Sequence, residues 1–111
     1  MDSLQIDKIG RKILGSKWLG VFPLDKLPIL KLGGLIVNTH TSNLPGEHWI
    51  ALYVEKNKIN AMDPFGLFYP DKLVKEISKY KKKIHFNRKR YQDPTTKFCG
   101  QICLIWLASK W

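Results

Sequence analysis

The chain has 111 residues, of which 19 are lysine or arginine and 9 are aspartate or glutamate, giving a formal charge of +10. The length indicates a single domain over residues 1–111, and the 44% hydrophobic content argues against wholesale disorder. The longest apolar run, Ile102 to Ala108, has seven residues, whereas a membrane-spanning helix needs roughly 20. With a polar start and two cysteines, the chain is expected to be soluble, intracellular and without a membrane partner.

A helix and a short strand are predicted near the start of the chain. Apolar residues at helical spacing predict a helix over 3–14, which Asp2 or Ser3 can cap. The prolines and glycines over 17–34 are typical of a loop with short turns. The apolar run over 35–38 then predicts a buried strand.

A β-hairpin is predicted in the middle of the chain. After a polar loop over 39–46, an apolar strand over 49–55 is joined by a turn near Asn57 to a second strand over 58–63. In a hairpin, the start of the first strand lies beside the end of the second. Residues at those two positions are therefore expected to be neighbours.

The second half of the chain predicts a helix, a strand and another helix. Asp71 is a candidate N-cap for a helix over 72–80, and alternating apolar residues predict a strand over 84–91. Residues 99–109 are apolar on nearly every side, which favours a central, buried helix. The order α-β-β-β-α-β-α indicates an α+β fold with a mostly antiparallel sheet and one helix behind it.

Cys99 lies where a polar loop enters the last predicted helix. The positive end of the helix dipole and the backbone N–H groups there favour a thiolate, and Gly100 would let a substrate backbone approach. Cys103, one turn further along, has the apolar neighbours of an ordinary buried cysteine. Cys99 is therefore the candidate nucleophile.

A base and an acid for this nucleophile are predicted at the ends of the hairpin strands. His48 directly precedes the first strand, where Trp49 can shield its imidazole from water. Asp63 ends the second strand, so its carboxylate is expected to accept the Nδ1–H of His48 and leave Nε2 for Cys99. Gln92 offers an amide that, with the backbone N–H of Cys99, can stabilise an oxyanion.

A zinc site is the rival use of these side chains. Cys99 and Cys103 with two histidines supply four ligands, but His40, His48 and His85 are scattered along the chain. Zinc knuckles space their ligands closely in loops and turns. No metal site is predicted, and His40 and His85 are expected at the surface.

The motifs around these residues resemble those of the adenovirus-type, or adenain-like, cysteine endopeptidases. They look closer still to the relatives encoded by Maverick/Polinton elements and virophages. The resemblance covers nearly the whole chain and rests on residues 20–22, 25–28 and 38–51, on Asp63–Gly66, on Gln92 and on Cys99–Cys103.

That resemblance implies a thiol protease with a permuted papain-like core. It assigns Cys99 as nucleophile, His48 as base, Asp63 as the acid that orients the base, and Gln92 as oxyanion donor. Such enzymes cleave precursor capsid or core proteins at Gly-containing sites during the maturation of a virus or virus-like particle. The implied location is the virion or the host-cell interior, cytoplasm or nucleus, with polypeptide substrates, no required cofactor and a monomeric state.

A basic segment makes DNA a candidate activator. The adenoviral enzymes use DNA and a short peptide, which can attach by a disulfide, but Cys99 and Cys103 are the only cysteines here. One-sided positive charge attracts polyanions, although a lysine-rich solvated surface explains it equally well. Between residues 75 and 90, Glu76 alone opposes Lys75, Lys79, Lys81, Lys82, Lys83, Arg88, Lys89 and Arg90.

Three other functions stay open on the sequence. A deconjugating protease for ubiquitin-like modifiers has a similar His-Trp, Asp, Gln and Cys-Gly order. A small basic module that binds nucleic acid would need none of the protease chemistry. A structural capsid component is the third.

Overall fold

Three α-helices and five strands make up the part of the chain that this computed structural model describes. It covers residues 2–39, 48–64, 69–87 and 99–110, and only the backbone of Cys99. The helices are α1 (Ser3–Leu14), α2 (Asp71–Ser78) and α3 (Cys99–Ala108). The strands are β1 (Trp18–Pro23), β2 (Gly33–Asn38), β3 (Trp49–Val54), β4 (Lys58–Met62) and β5 (Lys83–Phe86). Most of the predicted loop over 39–46 and the end of the strand predicted over 84–91 lie outside the described residues.

The strands form one mixed sheet in the order β1-β2-β3-β4-β5. β3 is antiparallel to both β2 and β4, whereas β1–β2 and β4–β5 are parallel. The predicted α+β class is confirmed, and so is the hairpin, but a mostly antiparallel sheet is wrong. The reason lies in the connections, because a strand that returns through a crossover such as α2 pairs in parallel.

Strand β1 contradicts the prediction of a loop over 17–34. It lies at the edge of the sheet, where its outer side has no neighbouring strand. Pro23 lacks an N–H, and it is tolerated there because no neighbouring strand requires that hydrogen bond. The register shifts between Trp18 and Gly20, and Gly20 adopts φ 128°, a backbone conformation that glycine permits. The residues that suggested a loop are therefore those that an irregular edge strand tolerates.

The helices cover both faces of the sheet. On one face α1 and α3 pack with Ile36, Trp49 and Met62, and on the other α2 packs with alternate strand residues such as Leu52, Ile59 and Ala61. The prediction of a central, buried helix is not confirmed, because α3 packs against the sheet on one side while its Ile105 is 70% exposed. Among the described residues, no helix is long and apolar enough to cross a membrane.

The helix boundaries follow from local capping. Asp2 accepts from the backbone N–H of Gln5, and the Gln5 side chain accepts from the backbone N–H of Asp2, both at 2.9 Å. This confirms the predicted start of α1. In α2 the cap position is Pro70, so Asp71 is the first helical residue and not the predicted N-cap. At the first helical position the Asp71 carboxylate still complements the helix dipole.

Asp7 joins α1 to the edge strand. Its carboxylate accepts from the Trp18 indole N–H at 2.8 Å and lies 3.1 Å from the Arg11 guanidinium. The hydrogen bond from Trp18, and then the contact with Arg11, lower the pKa of Asp7 below its ordinary value of 3.8, while partial burial acts in the opposite direction.

Acid should therefore weaken the α1–β1 contact through Asp7. A lowered pKa means that the ionised carboxylate stabilises the fold above pH 3.8, and that this contribution is lost as the pH falls through the folded-state pKa. In Asp7→Asn the amide oxygen can still accept from Trp18 but carries no charge. Urea unfolding between pH 2.5 and 7 should show a smaller loss of stability on acidification than in wild type. Identical profiles for Asp7→Asn and wild type would refute the assignment.

Candidate active site

Three strand ends meet where two of the predicted site residues, His48 and Asp63, lie. His48 immediately precedes β3, Asp63 immediately follows β4, and Asn87 immediately follows β5. Because β3 runs antiparallel to β4 and β4 runs parallel to β5, these three positions share one end of the sheet. We call it the site end.

His48 and Asp63 are in direct contact at the site end. The Nε2 atom of His48 lies 2.8 Å from Oδ1 of Asp63. The Asp63 side chain is fully buried, whereas that of His48 retains 16% exposure. A buried carboxylate needs partners that replace its hydration, and the imidazole of His48 supplies one of them while keeping an edge near solvent.

The imidazole is oriented opposite to the sequence prediction. Its Nε2, and not its Nδ1, faces Asp63. An ionised carboxylate only accepts hydrogen bonds, so this contact favours the neutral tautomer that carries its proton on Nε2. The lone pair of the neutral ring is then on Nδ1. In that tautomer Nδ1 is the nitrogen that can take a proton; this role was predicted for Nε2, and which nitrogen serves the nucleophile stays a prediction.

The backbone of Asp63 is held by one side chain. Asn87 Oδ1 accepts from the backbone N–H of Asp63 at 2.8 Å, and Asn87 Nδ2 donates to the carbonyl of Asp63 at 3.0 Å. The hydroxyl of Tyr69 also accepts from the Asp63 N–H at 3.1 Å and contacts both the side-chain and backbone oxygens of Asn87. Both polar groups of the Asp63 peptide backbone are thus satisfied.

The backbone of His48 is anchored on the opposite side. Thr39, one residue beyond β2, donates its backbone N–H at 3.1 Å and its hydroxyl at 3.3 Å to the carbonyl of His48. Since β2 and β3 are paired, this contact continues their ladder past the strand. Each member of the His48–Asp63 pair is therefore fixed by a residue just outside a neighbouring strand.

Helix α3 is joined to the start of β3 by a thiol. The buried Cys103 donates its S–H to the carbonyl of Trp49 at 3.4 Å. Cys99 opens α3 one turn earlier, and Gly100 in the same turn is buried.

The other predicted site residues are distributed as follows. Trp49 is 5% exposed and packs in the core between α3 and the sheet. His85 lies exposed on β5, which confirms its predicted surface position. The side chain of Cys99, Gln92 and His40 fall outside the described residues. Their roles stay predictions.

The described part of the basic segment lies away from the site end. Lys83 begins β5 and pairs with Lys58 at the start of β4, and a five-residue strand spans about 15 Å. Two of the lysines have acceptors nearby, Lys79 at 3.0 Å from Glu76 and Lys82 at 2.7 Å from the carbonyl of Glu55. The remaining described candidates are Lys75, Lys81 and Lys83, all exposed, while Arg88, Lys89 and Arg90 lie outside the described residues.

Sequence reasoning missed the residues that support the pair, namely Asn87, Tyr69 and Thr39. Asn87 stood out only because it breaks the alternation of the predicted strand. A polar residue directly after a strand is a usable signal, since it can extend the ladder through its side chain. The residue that Asn87 contacts depends on which strands pair in the folded sheet, and the local sequence pattern does not encode that pairing.

The comparisons with known proteins identify a similar fold. No protein-family model and no curated protein matches the chain. A crystal structure of the viral (ASFV) pS273R protease aligns with a TM-score of 0.71 at 14% identity, over 97% of this chain and 56% of that chain. The selenomethionine form aligns with a TM-score of 0.59 at 19% identity, over 70% of this chain and 34% of that chain. The chain thus has the fold of part of a viral protease, and it spans about half or less of that protein's length.

Proposed function

We propose that this chain is a cysteine endopeptidase of the viral-maturation type, as its motifs suggest. Three observations support the proposal: the fold similarity to a protease, the ordered motifs, and the acid–imidazole pair at the site end. The pair carries most weight. Fold similarity alone does not specify chemistry, whereas a fully buried carboxylate 2.8 Å from an imidazole is the arrangement that a general base requires.

In the proposed first step the thiol of Cys99 transfers its proton to Nδ1 of His48. The sulfur attacks the carbonyl carbon of the scissile peptide, forming a C–S bond while the C=O electron pair moves to oxygen. Asp63 stabilises the imidazolium through Nε2. The backbone N–H of Cys99, at the start of α3, and the amide of Gln92 are the proposed donors to the oxyanion.

Collapse of this intermediate breaks the peptide C–N bond. The leaving amine takes the proton from His48 Nδ1, which leaves a thioester on Cys99. A water molecule then gives a proton to Nδ1 and attacks the thioester carbon. The acid product departs, and the regenerated thiol recovers its proton from the imidazolium.

The proposed substrates are precursor capsid or core proteins cleaved at Gly-containing sites, in a virion or in the host-cell cytoplasm or nucleus. The motifs resembling adenovirus-type and Maverick/Polinton proteases favour this choice over deconjugation of ubiquitin-like modifiers. No cofactor is required by the proposed steps.

The experiment that tests this function compares two substrates and one inhibitor. Wild-type protein should hydrolyse a fluorogenic peptide ending in Gly-Gly, and treatment with iodoacetamide should abolish that activity. A ubiquitin-like modifier carrying the same fluorophore is the second substrate. Faster release from the modifier would favour the deconjugating enzyme, and release from neither substrate would favour a non-enzymatic module.

DNA is proposed as an activator and should raise the peptidase rate in a salt-dependent way. Neutralised phosphates release counterions, so binding weakens steeply as salt rises. The rate gain should be largest at low salt and reduced in a triple alanine variant of Lys75, Lys81 and Lys83. Lys12→Ala, on the exposed part of α1, is the control. An unchanged rate across a DNA titration at low salt would remove DNA from the mechanism.

A further inference from the structure

We propose that Asn87 is a positioning residue that sets the orientation of the His48 imidazole by fixing Asp63. The inference rests on the proposed function and extends it to a residue that does not contact the reacting atoms. It starts from the two hydrogen bonds that the carboxamide of Asn87 makes to the backbone of Asp63.

The backbone hydrogen bonds between β4 and β5 stop at Asn87 in the described residues. The backbone N–H of Asn87 donates to the carbonyl of Ala61 at 3.1 Å, which is the last backbone bond between β4 and β5 in the described residues. Pro64 follows Asp63 and has no N–H, so it cannot extend the ladder by donating. The Asn87 side chain takes over at this point, accepting from and donating to the single residue Asp63.

The two hydrogen bonds of Asn87, which act as a clamp on Asp63, control the direction of the Asp63 side chain. A proline restricts the preceding residue, here Asp63, to extended conformations. Hydrogen bonds to both the N–H and the carbonyl of Asp63 restrict its backbone further. The direction of the Asp63 side chain is then fixed, and its Oδ1 meets His48 Nε2 at 2.8 Å. Loss of the clamp would let the carboxylate move, and the imidazole would lose the partner that places the neutral-state proton on Nε2.

Tyr69 reinforces the clamp. Its hydroxyl contacts the Asp63 N–H and two oxygens of Asn87, while its ring packs on Phe86 with a centroid separation of 4.6 Å. Tyr69→Phe therefore removes only the hydroxyl and keeps the ring in place. It provides a milder perturbation of the same cluster.

The test compares Asn87→Ala with Asn60→Ala. Asn60 is a matched control because it is 8% exposed, lies on β4 three residues before Asp63, and donates its amide to Glu55 at 2.7 Å. A misplacement of about 1 Å can cost about 100-fold in rate. Asn87→Ala should lower kcat by about 10-fold to 100-fold with KM within about twofold, whereas Asn60→Ala should lower stability with kcat nearly unchanged.

The second readout is independent of peptidase activity. Nitrogen-15 spectra of histidine-labelled protein report which ring nitrogen is protonated. Wild type should show His48 predominantly as the Nε2–H tautomer, and Asn87→Ala should show a mixture of tautomers. If wild type cleaves no peptide, the proposed function fails while this spectrum still decides the role of Asn87.

Wild-type kcat and wild-type imidazole signals in folded Asn87→Ala would overturn the inference, as would an equal loss of kcat in Asn60→Ala. If Asn87→Ala fails to fold, Asn87→Ser and Tyr69→Phe take its place under the same criteria. A loss of kcat in these variants with the tautomer mixture would support the positioning role, and an unchanged tautomer would refute it.

Discussion

Replacing Cys99 by alanine should abolish peptide hydrolysis, with a loss of about 1,000-fold or more in kcat/KM. Removing the nucleophile of such a constellation leaves only the catalysis that binding and the oxyanion donors provide. The measurement is hydrolysis of the Gly-Gly peptide by wild type and Cys99→Ala under identical conditions. Circular dichroism and urea unfolding should show that Cys99→Ala retains the wild-type fold.

Cys103→Ala is the matched control, since it removes the other thiol of the same helix. Cys103 is fully buried, and its S–H donates to the carbonyl of Trp49. Loss of that hydrogen bond should cost about 1 kcal/mol of stability, but the nucleophile stays in place and most of the activity should remain. Equal turnover by wild type and Cys99→Ala would end the enzyme proposal. If peptidase activity were lost in Cys103→Ala but kept in Cys99→Ala, the nucleophile would be wrongly assigned.

The hairpin and the first helix were predictable because their signals are local. The capping residues of α1, the two apolar strands and the turn near Asn57 are all contained in short stretches of sequence. The proximity of His48 and Asp63 followed from the same local argument, as ends of paired strands. Short-range pattern was sufficient for these elements, because the capping of α1 and the pairing of the hairpin involve residues that are close together in the sequence.

The direction of the other strands could not be predicted in this way. β1 pairs in parallel with β2 across an intervening segment, and its Gly20 and Pro23 have loop-like local signals. β4 and β5 are likewise joined through α2. Whether a crossover returns in parallel depends on how the helix packs on the sheet, which no local periodicity records.

The finer features of the site were also beyond the pattern. Hairpin geometry indicates that His48 lies beside Asp63, but not which ring nitrogen faces the carboxylate. That choice depends on the rotation of the imidazole, which the backbone of β3 and the clamped Asp63 determine together. The contact between Asn87 and Asp63 depends on the parallel pairing of β4 and β5. Because that pairing was not predicted, the role of Asn87 was not predicted either.

His48→Ala should lose nearly as much activity as Cys99→Ala, while Asp63→Asn should lose about 10-fold to 100-fold less. Without His48 no base takes the thiol proton, whereas asparagine at position 63 can still accept from Nε2 but no longer stabilises the imidazolium by charge. The measurement is kcat/KM on the Gly-Gly peptide. An Asp63→Asn variant with wild-type activity would exclude a role for the carboxylate.

The double variant His48→Ala with Asp63→Asn separates catalysis from stability. In His48→Ala the buried carboxylate of Asp63 loses the partner that lies at 2.8 Å, and an uncompensated buried charge typically costs about 3–5 kcal/mol. Adding Asp63→Asn should therefore raise the free energy of unfolding above that of His48→Ala without restoring activity. It should also cause no further loss of kcat/KM, because Asp63 acts through His48. A further loss equal to that of Asp63→Asn alone would show that the two side chains act independently.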